Sequence, residues 1–566
     1  MKRLGLLIAL AAVAAGGVVY TVRHAKSTSN AAVTALLPRG TVALVHLPDF
    51  NRSRGDWHQT DIYKLCEEPA VRDFLNRPLS KVPHRSTTSQ TLSDLEKLSP
   101  KDAFVAVTSI EENNPHFVGG FRFRGSENDA DKIISKWIAE FLPGSPTHEN
   151  VDYEQHKIDI VGVAPNQIAT VYDGQWFFAS NDLAELKTVL DRADGREKDR
   201  QTILEGDEAF RAAMAHMPAS YALFFYVQPK GVSERLASLR NAIGAAGNQN
   251  AMVDQLRSIC GATRFESGKM RDVLFVGMPQ TQPDRKLTRS SLDLGTADTF
   301  LYLATLINPD NIARLNQAAL PAGTWLQKVF NATAGARMTV DDWKAAFDLE
   351  LGSLADWPQN SHWPSIIATL RVKDFARASK LVEVVTHAID EDAAWTKTEK
   401  NGVLYFSMPT PAALLAITPT LALSNRALIV GLDSASVESA INRTPPSSSG
   451  LSSSSTYKAA ARAVTAPTGA FIYVDTSLLY MRLDAALRPM LLMSAAFMPA
   501  ISDYVDIGKL PAPEIVAKHL SPIVSSQRYE GDGYVTDSVG PVTLSEAAVG
   551  LGLPAIFWGG AGHHYP

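Results

Sequence analysis

The sequence predicts an α+β protein: two tandem homologous modules, each an antiparallel sheet with packed helices, behind an N-terminal transmembrane helix. Three observations predict it. Residues 4–22, LGLLIALAAVAAGGVVYTV, form a run of 19 without a charge. A pattern of strand, turn, strand and capped helix at residues 169–192 returns without a gap 251 residues later, at 420–443. The strands mix with helices and are bounded by turn residues, as half-buried hairpins are.

The first element is the apolar run. At 1.5 Å rise per residue it reaches about 28 Å, close to the roughly 30 Å hydrocarbon core of a bilayer. Lys2 and Arg3 precede it and Arg23 and Lys26 follow. The run continues past the small residues Ala12-Val13-Ala14, so residues 1–26 are expected as an uncleaved anchor, with a cleaved signal segment as the alternative. Lys2 and Arg3 favour a cytoplasmic N-terminus. The bulk of the chain is then exported, as a single-pass inner-membrane protein facing the periplasm, or secreted if the segment is removed. No cysteine lies near the end of the run, which argues against a lipid-modified N-terminus.

The first module is expected over 32–280 and the second over 294–545, joined by a polar, proline-bearing linker at 281–293. In the first copy of the repeat, residues 168–171 and 176–179 flank the turn Tyr172-Asp173-Gly174-Gln175. Asp182 then caps a helix whose apolar stripe is Leu183, Leu186, Val189 and Leu190. In the second, 421–423 and 427–430 flank Ser424-Asn425-Arg426, and Asp433 caps a helix with Val437, Ala440 and Ile441 on one face. Asp182 with Asp433 and Arg192 with Arg443 are exact matches.

Further units correspond in the same order. Residues 120–141 and 368–389 each give a strand and then a helix. The stretches from Glu208 and from Ser455 each give helix, strand, helix, matching Phe210 to Tyr457, Tyr226-Val227 to Tyr473-Val474 and Arg235 to Arg482. Arg264-Phe265-Glu266 and Arg528-Tyr529-Glu530 each enter a terminal hairpin. The serine run Ser447–Ser455 is expected as a surface loop. Residues 546–566 form an apolar, glycine-rich tail, whose Phe557 and Trp558 suit docking on a module or a membrane interface.

Composition narrows function. At 566 residues the chain needs more than one core. Its net charge of -5 and lack of a basic stripe exclude a nucleic-acid partner. No phosphate-binding loop is present. The closest stretch, from Gly550, carries Pro554 and Phe557 where flexibility is needed, so no nucleotide is expected. A His-Glu-x-x-His zinc site and a Gly-x-Ser-x-Gly nucleophile elbow are absent. Cys66 and Cys260 can pair in an oxidising compartment, but two thiols in so long a chain fit buried apolar positions better.

One polar cluster has ligand chemistry: His46, Asp49, His58 and Asp61. A structural account also fits it, with His46 in a strand, Asp49 capping a turn or helix after Pro48, and Trp57-His58 opening an amphipathic helix. His563-His564 fit a glycine-rich tail better than a rigid metal site. No catalytic, cofactor or metal residue is assigned.

Residues 35–78 carry a resemblance: Leu37-Pro38, Thr41, Val45, Pro48-Asp49, Trp57, Tyr63-Lys64-Leu65, Glu68-Pro69-Ala70-Val71 and Phe74-Leu75. Together they resemble the N-terminal signature of a family of uncharacterised bacterial envelope proteins. The resemblance implies an anchor or signal followed by a long ectodomain, and no catalytic residue.

The expected function is a non-enzymatic, membrane-anchored envelope protein whose duplicated ectodomain binds a protein or another envelope component, without a cofactor. Two alternatives stand. An envelope hydrolase requires a deep pocket with two carboxylates, or a Ser or Cys beside a His. A small-ligand or lipid carrier requires an apolar cavity, for which Trp176, Phe177, Phe178, Phe224, Phe225 and Tyr226 are the candidate walls.

Overall fold

A computed structural model of the chain describes residues 31–80, 93–111, 114–141, 147–162, 167–197, 199–229, 255–310, 325–389, 395–408, 418–443, 450–497 and 505–545. The expected anchor at 1–26, the tail at 546–566 and His563-His564 lie outside them. Among the described residues no helix is long and apolar enough to cross a membrane. The architecture is mixed helix and antiparallel sheet. Two compact units divide it, one comprising most of the first 278 residues and the other most of the remainder.

The first unit carries β1 (Ala43–Asp49), β2 (Lys101–Glu111), β3 (Asn114–Arg122), β4 (His148–Tyr153), β5 (His156–Val161), β6 (Ile168–Asp173), β7 (Trp176–Ser180), β8 (Leu223–Val227), β9 (Ser258–Glu266) and β10 (Lys269–Gly277). Antiparallel pairing orders them β4-β5-β6-β7-β3-β2-β1-β8-β9-β10. Burial alternates strictly along β2, the period-2 signature of a sheet with one covered face. Helices α1 (Ala31–Leu36), α2 (Phe50–His58), α3 (Glu127–Phe141), α4 (Leu183–Ala193) and α5 (Glu208–Ala215) accompany it.

The core of this unit joins Leu44, Phe104, Phe178, Phe224 and Tyr226 of the sheet to Leu186, Val189 and Leu190 of α4 and Phe210 of α5. Leu186, Val189 and Leu190 are fully buried, each contributing about 2 kcal/mol. A satellite cluster sets Ala130 and Ile134 of α3 against Phe123 and Phe177.

The second unit carries β11 (Thr299–Leu306), β12 (Phe347–Asp356), β13 (Ser365–Val372), β14 (Thr396–Lys400), β15 (Val403–Ser407), β16 (Thr420–Leu423), β17 (Ala427–Gly431), β18 (Ala470–Val474), β19 (Ile523–Tyr529) and β20 (Gly533–Gly540). Their order is β14-β15-β16-β17-β13-β12-β11-β18-β19-β20, position for position that of the first unit. Its helices include α6 (Phe375–Ile389), α7 (Ser434–Asn442), α8 (Ser455–Ala463) and α9 (Thr476–Phe497).

The register agrees in detail. In the β6–β7 hairpin Ala169 faces Ser180 and Val171 faces Phe178; in β16–β17 Thr420 faces Gly431 and Ala422 faces Ile429, each pair displaced by the same 251 residues. Asp182 caps α4 by accepting from the Ala184 and Glu185 amides, and Asp433 caps α7 by accepting from Ser436. At the other ends of these helices, Arg192 donates to the Leu36 carbonyl and Arg443 to the Leu294 carbonyl. Each arginine thus ties a helix C-terminus to the segment entering the first strand of its unit.

Four local expectations need correction. Trp57-His58 close α2 and do not open a helix, because Asp49 already caps at Arg52 and Thr60 caps the following helix, Asp61–Glu67. The serine run is not simply a loop: Leu451 is buried in a 3-10 turn and Ser454 caps α8 through the Tyr457 amide, a hydroxyl role that serine supplies at helix starts. Cys66 is exposed and Cys260 buried, both as free thiols. Residues 281–293, expected as a linker, are bound into the second unit. Arg285 pairs with Asp348, and the Thr288 and Ser290 amides donate to Glu350 at 2.7 and 2.6 Å.

Candidate functional site

The four residues of the polar cluster take separate partners. Asp49 accepts from the Arg52 amide at 2.9 Å and sits 3.6 Å from the Lys101 ammonium, so its carboxylate is a helix cap. His58 stacks on Tyr63 with ring centroids 4.2 Å apart, and burial followed by the nearby Arg54 charge lowers its pKa. Asp61 pairs with Lys64 at 3.4 Å. His46 lines a cavity that the other three do not.

That cavity, of about 790 Å³, lies in the first unit. Its volume falls within the roughly 300–1,000 Å³ of small-molecule sites. The floor is the covered face of β1 and β8, where alternation turns Leu44, His46 and Phe224 the same way. The walls come from Phe210, Arg211 and Met214 of α5 and from Tyr221, just before β8. The rim is Thr34 of α1, Arg39, Arg200, Gln201, Glu205 and Gly206. Asp207 accepts from the Phe210 amide at 2.8 Å, which starts α5 where its Phe210 side chain can meet the floor.

The floor is apolar except for one buried pair. His46 is 2 % exposed, and its Nδ1 lies 3.0 Å from the Tyr221 hydroxyl. Burial pushes the His46 pKa down to about 4, so the ring is neutral at pH 7. Burial also raises the Tyr221 pKa, keeping its hydroxyl protonated. A neutral ring accepting from Tyr221 at Nδ1 carries its proton on Nε2. Nε2 faces Asp102 Oδ1 at 3.8 Å, too far for a hydrogen bond. Asp102 is instead the ion-pair partner of Arg122, whose guanidinium lies over the Trp176 ring at 5.3 Å. A register shift between Lys101 and Phe104 in β2–β3, with Asp102 at φ 47°, turns this carboxylate inward.

The rim is cationic. Arg39, Arg200 and Arg211 are exposed, and among the described residues their guanidinium groups have no hydrogen-bond or ion-pair partner. The single carboxylate lining the cavity, Glu205, accepts from Thr34 at 2.7 Å. Three positive side chains and one negative thus surround an aromatic and aliphatic interior.

The corresponding place in the second unit carries other side chains. By strand register Tyr302 stands where Leu44 does, opposite Tyr473 as Leu44 is opposite Tyr226, and Ala304 stands where His46 does. Tyr457 replaces Phe210, lying against Tyr473 at 5.1 Å as Phe210 lies against Tyr226 at 5.0 Å. The Tyr302 hydroxyl lies 3.2 Å from Ser291, and Arg289 covers Phe471 at 5.0 Å while donating to Tyr457 at 3.2 Å. Tyrosines with hydrogen-bonded hydroxyls there stand in place of Leu44 and Phe210.

Of the aromatic residues expected to line a carrier cavity, Phe224 does so. Phe178 and Tyr226 are interior to the main core and Phe177 to the satellite cluster. The cavity lining holds neither two carboxylates nor a Ser or Cys beside His46. Cys260 is buried in the core and burial pushes its thiol up to about 12.

One further group has ligand atoms within 4.8 Å of one another: His156, Asp173 and Asp194. His156 Nε2 lies 2.9 Å from Asp194, and the Arg196 guanidinium pairs with the same carboxylate and with Asp191. A bound guanidinium already supplies the positive charge that a cation would bring, so the arrangement is an ion-pair network.

Sequence reasoning did not single out Arg39, Arg200, Arg211, Glu205 or Tyr221. They come from separate segments and carry no local motif; the one available signal was a histidine in an otherwise apolar strand.

No protein-family model matches the chain, and no curated protein matches it. Among solved structures, crystal form III of TP0453 aligns with 46% of this chain and 83% of that chain at 7% identity, with a TM-score of 0.24. Crystal form IV of TP0453 aligns with 44% and 81% at 6% identity, with a TM-score of 0.24. Likeness at that level carries no argument about fold or function.

Proposed function

We propose that this chain is a non-enzymatic envelope protein, tethered by residues 1–26, whose two modules descend from one copied unit and whose first module binds an organic anion with an apolar body. The carrying observation is the arginine-rimmed cavity of the first unit. Guanidinium groups offer forked donors to a carboxylate or phosphate, and a dry aromatic floor receives the apolar part. Shared strand order, the 251-residue register offset and the twin arginine ties support duplication. The tyrosines at the matching positions of the second unit, with their hydroxyls hydrogen-bonded, support divergence of the copies. The uncharged run at 4–22 with its basic flanks supports the tether.

The test is calorimetric titration of octanoate, octyl phosphate and 1-octanol into the full chain held in lipid nanodiscs, with empty discs subtracted. The anions are expected to bind at least about tenfold tighter than the alcohol, the value of one charge-assisted contact. Leu44→Tyr, which places in the first unit the side chain found at the matching position of the second, abolishes the difference. Arg211→Gln weakens the anions and leaves octanol unchanged. Binding of Leu44→Tyr equal to that of the parent chain refutes the assignment.

A further inference from the structure

We propose that the C-terminal half of α9 is a membrane-docking tip that enters the apolar region of a lipid bilayer. This rests on the second unit alone and is independent of the ligand cavity. Among the described residues the exposed large apolar side chains all belong to the second unit, and six of the eleven lie on α9: Leu483, Leu487, Met490, Leu491, Leu492 and Met493.

The helix is fixed at its base. Leu478, Leu479 and Ala486 pack against Phe300, Ala355 and Trp357. The Arg482 guanidinium donates to the Trp357 carbonyl and to Asp298, both at 2.8 Å. Arg488 holds Asp484 at 2.6 Å and donates to the Pro511 carbonyl at 2.7 Å, and the Thr476 hydroxyl donates to the Ser521 carbonyl at 2.7 Å. These contacts order the root and end at Arg488. Beyond it Met490, Leu491, Leu492 and Met493 stand 52%, 43%, 50% and 59% exposed.

The pattern identifies the occupant. Successive helical residues are rotated by about 100°, so four consecutive exposed apolar side chains cover about 300° of the helix circumference. A protein groove takes one stripe, at i, i+3, i+4 and i+7, and leaves the opposite face for water. A second copy of the chain docking along the helix needs the same single seam. A helix apolar all round is matched by a medium that surrounds it, and lipid is that medium. The residues from Pro489 to Phe497 include no charged side chain, so entry requires no buried ion. Met490 to Met493 advance about 5 Å along the axis, the depth to which interfacial helices enter a bilayer. The tip is a shallow second attachment and does not span.

The test places an environment-sensitive fluorophore on Met493→Cys in a Cys66→Ser full-length chain, with the probe on the exposed Thr398→Cys as reference. Both are added to phosphatidylcholine vesicles with and without acyl-chain nitroxide lipid. The probe at 493 is expected to shift to the blue and to be quenched by the nitroxide, insensitively to salt, while the probe at 398 stays water-like. Leu491→Glu with Leu492→Glu is expected to lower the inserted fraction at least about tenfold with an unchanged thermal unfolding curve. A water-like probe at 493 on vesicle-bound chain overturns the proposal. So does a blue-shifted probe in lipid-free chain that elutes as a dimer, which assigns the tip to a second copy.

Discussion

His46 makes the first unit sensitive to acid in a way that can be calculated. Its unfolded value is 6.5 and burial pushes it down to about 4, so between those values the unfolded chain binds the extra proton. The stability it permits is complete above pH 6.5, is lost as pH falls toward 4, and cannot be lost further below that. The full loss is about 3 kcal/mol, and the part falling between pH 7 and pH 5 is about 2 kcal/mol. The groups facing the ring are Tyr221, which stays protonated, and Asp102, which is paired with Arg122. His46→Asn keeps an acceptor near the Tyr221 hydroxyl and cannot take up the proton. Hydrogen exchange of the amides of β1 and β2, corrected for intrinsic rates, reads this unit alone. The parent chain is expected to lose about 30-fold protection between pH 7 and pH 5 beyond whatever His46→Asn loses. Equal losses in both chains would refute the claim that a neutral buried imidazole is held there.

Four other outcomes follow from particular contacts. Tyr302→Leu is expected to lower the stability of the second unit by about 2–4 kcal/mol in urea titrations and to open a cavity where the first unit has one. Arg443→Met removes the tie to Leu294 and leaves Asp356 short of a cation, costing about 3 kcal/mol in the same assay, more than Arg192→Met, whose partner Glu197 is partly exposed. Asp433→Ala should cost about 1 kcal/mol and raise exchange in the first turn of α7 only. An alkylating reagent should modify Cys66 readily in the folded chain and Cys260 only after unfolding, as mass spectrometry of the digested peptides reports.

The hairpins were legible because their information is local. Period-2 alternation, a turn and a capping aspartate lie within 24 residues, and the ungapped offset carries register with it, so Val171 with Phe178 and Ala422 with Ile429 could be matched before any coordinates. The cavity was not legible, because it depends on partners 175 residues apart, His46 and Tyr221, and on arginines from three segments. Local rules also misplaced Trp57-His58. Periodicity marks a helical face but not which end of the helix it occupies, and that was decided by the caps at Asp49 and Thr60.

The difference between the two units turns on very few side chains. Strand order, both helix caps and both arginine ties coincide, so a common backbone supports each sheet. Against that constant frame, Leu44 with Tyr302 and Phe210 with Tyr457 are changes of size and of hydrogen-bonding capacity at matching register positions. A phenol ring there both fills volume and brings a hydroxyl that must find a partner, which Ser291 and Arg289 supply. Leucine and phenylalanine make no such demand. Arg289 of the second unit is spent on its own Tyr457 and Phe471, whereas Arg39, Arg200 and Arg211 keep their donors unengaged among the described residues. The proposed ligand capacity therefore rests on what the matched positions leave unsatisfied. Exchanging Leu44 and Phe210 for tyrosine, together with a new basic residue at the rim, should convert the first unit to the second unit's type without altering its strand order.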